Sequence, residues 1–172
     1  DWSSDVCSSD LRMKDTDNRV RAVIRNGDKI LCFRANPNNA QYDSTKHFLP
    51  GGHIQDDECS YEAIIRELKE EIIGLSSVDA CDILGVVELK WNDEMGDSHI
   101  EINFVYEVQV SFQDSAQAVS AADNYLDAEW VNEENIKNEK VLLLPQEIAS
   151  NLGSWQNIAR EIRNRIVFSS GF

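Results

Sequence analysis

The chain has 172 residues, of which 42% are hydrophobic and 27% are charged, as is typical of one ordinary globular domain. Its formal net charge of −15 and its pI near 4.5 argue against a general nucleic-acid-binding or anionic-membrane-binding protein, because both need a basic surface. No apolar run approaches the ~20 residues of a membrane-spanning helix.

Residues 1–12 are set aside from the fold prediction. The stretch DWSSDVCSSDL looks like the in-frame translation of a sequencing-library adapter, and it lacks the apolar run of a secretory signal. Its Ser and Asp content predicts disorder. We expect a single domain over residues 13–172, and we expect removal of residues 1–12 to change neither activity nor melting temperature.

The N-terminal half predicts strands and one turn rich in glycine. Val20–Arg25 and Lys29–Arg34 flank Asn26-Gly27, a strong signal for a two-residue hairpin. His47–Leu49 predicts a short strand that leads into Pro50–Gly52, which we call the glycine turn.

A helix is predicted to begin near Ser60, a residue that favours the N-cap position. Its apolar positions recur at helical spacing and predict a buried stripe of Tyr61, Ile64, Ile65, Leu68 and Ile72. Three acids at spacings of three and four lie together on another face, and we call Glu67, Glu70 and Glu71 the motif glutamates.

The repulsion between so many acidic side chains in one segment requires a compensating positive charge. Asp56–Glu71 contains seven acidic residues and only two basic ones, Arg66 and Lys69. Like charges at helical spacing destabilise by roughly 0.2–0.5 kcal/mol per pair. A divalent metal ion is the simplest compensating charge, and a solvated acidic surface is the alternative interpretation.

The C-terminal half predicts more strands and then helices. In chain order the elements are strands at Asp82–Trp91, Ser98–Val110 and Leu126–Val131, and helices at Leu144–Leu152 and Trp155–Ile166. Ser154 is the expected N-cap of the last helix, and Gln113–Asn124 is a polar loop. This order of elements suits an α/β protein with a mixed sheet covered by helices.

The glycine turn and the acidic helix together resemble a known motif. Gly52, Glu58 and Arg66–Glu71 stand at the intervals of the signature of the Nudix hydrolases, enzymes that hydrolyse a nucleoside diphosphate linked to another group. The resemblance implies the Nudix-type α/β/α sandwich. One departure is that Ile72 and Ile73 precede Gly74, where the family has a single residue. We expect one extra residue at the helix C-terminus, with Gly74 as its cap.

The resemblance implies a role for each motif residue. Glu70 and Glu71 would bind Mg²⁺ or Mn²⁺, and Glu67 would bind metal or activate water. The backbone carbonyl of Gly51 would be a further metal ligand. Glu58 and Arg66 would form an ion pair that holds the preceding loop to the helix.

Family members commonly use a further carboxylate from outside the motif. Glu129, which stands before Trp130, resembles that downstream acid and is our first choice as a metal ligand and catalytic group. Glu94 is the second choice for the general base, and Glu101 is the third.

The substrate is not indicated by any subfamily signature that we find in the sequence, which favours a nucleoside triphosphate or an unusual nucleotide derivative. Four residues near the expected cleft are candidates for binding its base or phosphates, although each is also explained as core or solvated surface: Arg34, Lys46, Phe48 and Trp91.

Two other functions use the same fold. A catalytically silent Nudix-like domain would sense a nucleotide, but such domains usually lose motif carboxylates, and here all are present. A diphosphate isomerase would need a catalytic cysteine and flanking motifs that we do not find. Cys32, Cys59 and Cys81 form no CxxC pair and predict reduced thiols in the cytoplasm. Many Nudix proteins dimerise, but no residue pattern here indicates a homodimer.

Overall fold

The computed structural model describes residues 16–37, 43–92, 95–113 and 120–162, and for residues 120 and 156–162 it describes the backbone only. The helices are α1 (Ser60–Glu71), α2 (Glu133–Lys137) and α3 (Gln146–Ile162). The strands are β1 (Thr16–Asn26), β2 (Lys29–Ala35), β3 (Lys46–Phe48), β4 (Ile72–Ile73), β5 (Leu75–Asn92), β6 (Ser98–Phe112), β7 (Ser120–Ala121), β8 (Leu126–Asn132) and β9 (Leu142–Leu144).

Seven of these strands form one mixed sheet. Their order is β5-β6-β1-β2-β3-β9, and β8 pairs along β2. The β1–β6 and β3–β9 pairs are parallel, whereas β5–β6, β1–β2, β2–β3 and β2–β8 are antiparallel. The two short strands β4 and β7 pair separately.

Each face of the sheet packs on a helix. On one face Leu31 and Phe33 of β2 join a cluster with Ile64 and Leu68 of α1. On the other face the alternate residues of β2, including Cys32, join a cluster with residues of α3. Because neighbouring residues of a strand point to opposite faces, the two helices lie on opposite sides of the sheet. The predicted α/β class with a helix-flanked mixed sheet is confirmed.

The glycine turn fills a gap beside β1. β1 pairs with β2 at Arg25 and Asn26. Nearer its N-terminus the backbone of β1 bonds instead to the turn, from the Ala22 amide to the Pro50 carbonyl at 2.8 Å and from the Val20 amide to the Gly52 carbonyl at 2.9 Å. The turn therefore lies in the plane of the sheet, at the N-terminal side of α1.

The start of α1 differs from the prediction by one residue. Cys59, not Ser60, is the N-cap, and its backbone amide donates a hydrogen bond to Oε2 of Glu62 at 3.0 Å. The predicted apolar stripe is also partly wrong, because Tyr61 is half exposed while Ala63 is buried. Ile64 and Leu68 are buried as expected.

The end of α1 differs as well. The helix stops at Glu71, and the next two residues form β4, which pairs with Ala121 and Ser120 of β7. Gly74 is therefore not a helix cap but a residue with φ of +81° between β4 and β5. The extra residue before Gly74 is part of a strand that reaches across to the segment before β8.

The C-terminal prediction of two helices is wrong, because α3 is continuous from Gln146 through Ile162. Ser154 does not cap a new helix; its hydroxyl donates to the Asn151 carbonyl one turn earlier, at 2.9 Å. The predicted hairpin of β1 and β2 is confirmed, and β5 and β6 form a second antiparallel hairpin. None of the described helices combines the length and apolar character that a membrane crossing requires.

Candidate active site

The glycine turn approaches β1 too closely for any side chain at its first glycine. A Cβ at Gly51 would overlap the carbonyl oxygen of Val20, and Gly51 has a φ of +132°, which favours glycine. A Cβ at Gly52 would lie 2.6 Å from the carboxylate of Glu67. The two glycines thus bring backbone against β1 on one side and against α1 on the other.

The motif glutamates lie together beside this turn, as their spacing predicts. Glu71 accepts a 2.8 Å hydrogen bond from the Gly51 amide. Glu67 and Glu70 both accept from Nη1 of Arg66, at 2.8 Å and 3.0 Å. All three carboxylates are therefore bound to groups that carry partial or full positive charge, which reduces their mutual repulsion.

Arg66 also fixes the loop that precedes α1. Its Nε and Nη2 donate to the two oxygens of Glu58, at 3.0 Å and 2.5 Å, in a bidentate pair. The same Nη2 donates to the His53 carbonyl at 3.0 Å. These hydrogen bonds from the guanidinium lower the pKa of Glu58 below its usual range. The predicted Glu58–Arg66 pair is present in the structure, and it connects the glycine turn, the loop and the helix.

Burial raises the pKa of Glu71 to about 7. The hydrogen bond from Gly51 and the charge of Arg21 act in the opposite direction, while the charges of Glu67 and Asp123 raise the pKa further. A carboxylate in this state lacks a nearby positive charge sufficient to keep it ionised. A bound cation would supply that charge.

A cavity of about 250 Å³ opens over these groups. It is lined by the motif glutamates together with Phe33, Ala121, Ala122, Asp123 and Leu126. Asp123 comes from the segment after β7, and the Ala122 amide anchors this segment to the Glu71 carbonyl at 2.7 Å. Four carboxylates from two parts of the chain therefore surround one space.

Sequence reasoning missed Asp123. This residue lies in the polar loop before β8, and the pairing of β4 with β7 together with the Ala122–Glu71 hydrogen bond brings it to the end of α1. The one available signal was the extra residue before Gly74, since that residue belongs to β4.

The NUDIX domain family model matches residues 15–152 of the chain. The chain belongs to the Nudix family. No curated protein sequence matches it significantly. Among solved structures it is similar to a NUDIX hydrolase from Nitrosomonas europaea, with 21% identity, a TM-score of 0.58 and coverage of 91% of this chain and 99% of that one. A MutT protein from Methanosarcina mazei Go1 gives 23% identity, a TM-score of 0.60 and coverage of 90% and 99%.

A third similar structure is a bifunctional NMN adenylyltransferase/ADP ribose pyrophosphatase from Francisella tularensis. Here the identity is 25% and the TM-score 0.55, and the match covers 83% of this chain and 42% of that one. The similarity to the first two structures supports the assignment of the fold. Members of this family generally hydrolyse nucleoside diphosphate derivatives and typically use a divalent metal ion.

The structure does not bring Glu129 to the Nudix motif. Glu129 of β8 pairs with Cys32 of β2, and paired residues of neighbouring strands point to the same face of a sheet. The side chain of Glu129 therefore lies on the α3 face, whereas the motif glutamates belong to α1 on the other face. There Glu129 contacts Nε2 of the buried His47 and lies 3.4 Å from Nε of Arg34. Among the residues that the structure describes, Asp123 and not Glu129 is the acid from outside the Nudix motif that lines the cavity.

Arg34, like Glu129, lies on the α3 face, and its Nη2 is 4.0 Å from Oδ2 of Asp127. Phe48 lies on the α1 face, where its ring meets that of Phe33 edge to face with centroids 6.3 Å apart. Because Phe33 lines the cavity, Phe48 is the candidate for substrate binding that lies next to it.

The remaining candidates lie elsewhere. Lys46 forms an ion pair of 3.3 Å with Asp43. Trp91 stacks on His99, with ring centroids 4.4 Å apart, at the hairpin end of β5 and β6. Glu101 accepts from the amide of Asn103 at 2.8 Å, and Glu94 lies outside the described residues.

The donor set of the cavity suits a hard divalent ion. Carboxylate oxygens are the ligands that Mg²⁺ and Mn²⁺ prefer, and four carboxylates meet here, one of them with a pKa near 7. Within the described ranges, however, no three acidic, His or Cys side chains already converge as an ion site. Nη1 of Arg66 holds one oxygen of Glu67 and one oxygen of Glu70, so a metal ion would bind the other oxygen of Glu70 or displace Nη1 from this carboxylate.

Proposed function

We propose that the protein is a metal-dependent pyrophosphohydrolase that cleaves a diphosphate linkage in a nucleoside diphosphate derivative. The observation that carries this proposal is the cavity in which Asp123 joins the motif glutamates beside the glycine turn. The charges of Glu67 and Asp123 raise the pKa of the buried Glu71, and perturbed carboxylates of this kind cluster at functional sites. A bound cation would offset this repulsion and would also attract an anionic substrate.

The proposed ligands of Mg²⁺ or Mn²⁺ are Glu70, Glu71, Asp123 and the carbonyl of Gly51. When bound, the ion would offset the charge of the diphosphate and lower the pKa of the attacking water. Asp123 takes the ligand position that the sequence had suggested for Glu129.

The chain's own residues would orient the reaction. Water attack forms one P–O bond, breaks the bridging P–O bond and leaves a proton to be removed. Glu67 lines the cavity, and Arg66 holds its carboxylate at 2.8 Å, so Glu67 is our proposed acceptor for that proton unless it binds metal. The bidentate Glu58–Arg66 pair would keep the helix and the glycine turn in fixed relation during turnover.

A small nucleotide is the proposed substrate, and the half-buried Phe48, which packs edge to face on the fully buried Phe33 behind the cavity, is the proposed aromatic contact for its base. Arg34, Lys46 and Trp91 are not proposed for this role, because each is engaged with other partners away from the cavity. ADP-ribose is included among the test substrates because the Francisella protein is an ADP ribose pyrophosphatase.

A panel of nucleotides tests the proposal. The full chain is incubated with canonical and oxidised nucleoside triphosphates, ADP-ribose, NADH, dinucleoside polyphosphates and nucleotide sugars, with Mg²⁺ or with EDTA. We expect Mg²⁺-dependent release of a nucleoside monophosphate that Glu70→Gln abolishes. Binding of one nucleotide without turnover of any would instead support a catalytically silent sensor.

A further inference from the structure

Arg21 interrupts the buried apolar run of β1. Its neighbours Val20, Ala22, Val23 and Ile24 are 0–1% exposed, and Arg21 itself is only 9% exposed. Burial lowers the pKa of Arg21 below its usual value, but an arginine remains charged at physiological pH. A strand that needed only stability would carry an apolar residue here, because well-packed apolar residues often stabilise as much as a buried ion pair does.

The guanidinium of Arg21 is bonded to the glycine turn. Its Nη1 donates to the Gly51 carbonyl at 3.1 Å. The amide of the same glycine donates to Oε2 of Glu71 at 2.8 Å. Gly51 therefore lies between a buried cation and a motif carboxylate, and two hydrogen bonds connect Arg21 to Glu71.

Polar side chains on β6 anchor the other side of the guanidinium. Its Nε donates to Oδ1 of Asn103 at 3.4 Å, and Asn103 is fully buried. Asn103 in turn donates to Glu101 at 2.8 Å. Among the neighbouring acids, Glu101 contributes most to stabilising the charged form of Arg21. The carboxylate of Glu101 also lies 3.6 Å from Nε of Arg19. The guanidinium of Arg21 is thus bonded to Asn103 of β6 through its Nε and to Gly51 of the glycine turn through its Nη1.

We propose that Arg21 is a positioning residue for the metal site, fixing the Gly51 carbonyl and, through Gly51, the Glu71 carboxylate in the arrangement that binds a divalent ion. This inference rests on the proposed function, and it gives β1 a role outside the Nudix motif. Residues that orient metal ligands typically change metal affinity by about 10–100-fold when they are replaced.

Mn²⁺ binding to the full chain, followed by the electron paramagnetic resonance signal of the free ion, tests the proposal. Arg21→Met retains a long side chain and removes the guanidinium, and we expect the Kd for Mn²⁺ to rise by at least ~10-fold. Arg25→Met is the matched control. Arg25 lies on the same face of β1 and pairs with Glu107 and Glu133, so its removal should change the Kd less than ~2-fold.

The sign of the change distinguishes positioning from simple charge. Removing a positive charge near a cation site would by itself tighten cation binding. An unchanged or lower Kd in folded Arg21→Met would therefore overturn the proposal. A charge-balanced comparison sharpens the test, since Arg21→Met combined with Glu101→Gln removes one charge of each sign. Positioning predicts that the double variant binds Mn²⁺ at least ~10-fold more weakly than the unaltered chain, which has the same net charge.

Circular dichroism and thermal melting establish that each variant is folded. If Arg21→Met does not fold, Asn103→Leu replaces it, because this change leaves the charge and removes the anchor. We then expect Mn²⁺ binding at least ~3-fold weaker and faster hydrogen exchange at the Gly51 amide, and no change in either would overturn the proposal.

Mn²⁺ binding by the unaltered chain and by Glu70→Gln tests the proposed metal site independently of the role of Arg21. If the unaltered chain does not bind Mn²⁺, or if Glu70→Gln binds it equally well, the metal site itself is wrong and the inference falls with it. If the unaltered chain binds Mn²⁺ and Glu70→Gln does not, an unaffected Arg21→Met disproves only the positioning role.

Discussion

The amide of Gly51 donates a 2.8 Å hydrogen bond to Glu71, so the glycine turn and the last residue of α1 meet directly. This one hydrogen bond does not offset the burial of the carboxylate, and the pKa of Glu71 rises to about 7. In the unfolded chain the same group loses its proton near pH 4.5. Ionisation of Glu71 between these two pH values therefore favours the unfolded state, and its contribution to stability declines as pH rises from 4.5 to 7.

Glu71→Gln should remove this effect from the metal-free protein. With EDTA present, we expect the variant to match the unaltered chain near pH 4.5 and to become more stable than it above pH 7, by up to about 3 kcal/mol. Urea denaturation across this pH range measures the difference in unfolding free energy. A difference that does not vary with pH would contradict the assigned pKa. Added Mg²⁺ should stabilise the unaltered chain and not the variant.

The two glycines of the turn should respond differently to alanine. At Gly51 a Cβ would overlap backbone of β1, which cannot move cheaply, and φ is +132°. We expect Gly51→Ala to destabilise the fold by at least ~3 kcal/mol.

At Gly52 the obstructing atoms are the carboxylate of Glu67, the far end of a flexible side chain. Gly52→Ala should therefore fold with a nearly unchanged melting temperature but displace Glu67 and lower kcat by at least ~10-fold. Thermal melting and hydrolysis assays on both variants check this contrast. Equal losses of stability in the two variants would contradict it.

Features that depend on local spacing could be predicted from the sequence. Three- and four-residue spacing along a helix brings Glu67, Glu70 and Glu71 to one face without any tertiary information. The hairpin of β1 and β2 likewise follows from a short turn signal. The Glu58–Arg66 pair follows from the motif, because its two residues are only eight positions apart and belong to one loop and helix.

Features that depend on long-range pairing could not be predicted. The position of Glu129 depends on its register against Cys32, and a shift of one residue would have turned it to the α1 face. Asp123 reaches the cavity through the pairing of β7 with β4 and the hydrogen bond from the Ala122 amide to the Glu71 carbonyl. The N-cap was misplaced because Ser60 is the stronger capping residue by type, whereas Cys59 and Glu62 together form the capping box.

Arg66 should not be replaceable by lysine. Its three nitrogens serve Glu58, the His53 carbonyl and two motif glutamates, whereas a lysine ammonium is a single point charge that cannot span these groups. We expect Arg66→Lys to lower kcat by at least ~10-fold and to reduce the melting temperature.

Arg25→Lys is the control for the change of residue type, since Arg25 pairs with Glu107 and Glu133 away from α1. Its activity should stay within ~3-fold of the unaltered chain. Full activity in Arg66→Lys would show that the charge alone is sufficient and that the bidentate geometry is not required.

Asp123 and Glu129 are the two alternative candidates for a metal ligand from outside the Nudix motif. Asp123 lines the cavity and its charge raises the pKa of Glu71, whereas Glu129 lies on the other face of the sheet against His47 and Arg34. We expect Asp123→Asn to raise the Kd for Mn²⁺ by at least ~10-fold. Glu129→Gln should change it by less than ~3-fold and act mainly on the melting temperature, since it weakens contacts to His47 and Arg34. Mn²⁺ titration and thermal melting of the two variants give both quantities. If Glu129→Gln weakens Mn²⁺ binding more than Asp123→Asn does, the ligand is Glu129, and the chain must rearrange around β8 when the metal ion binds.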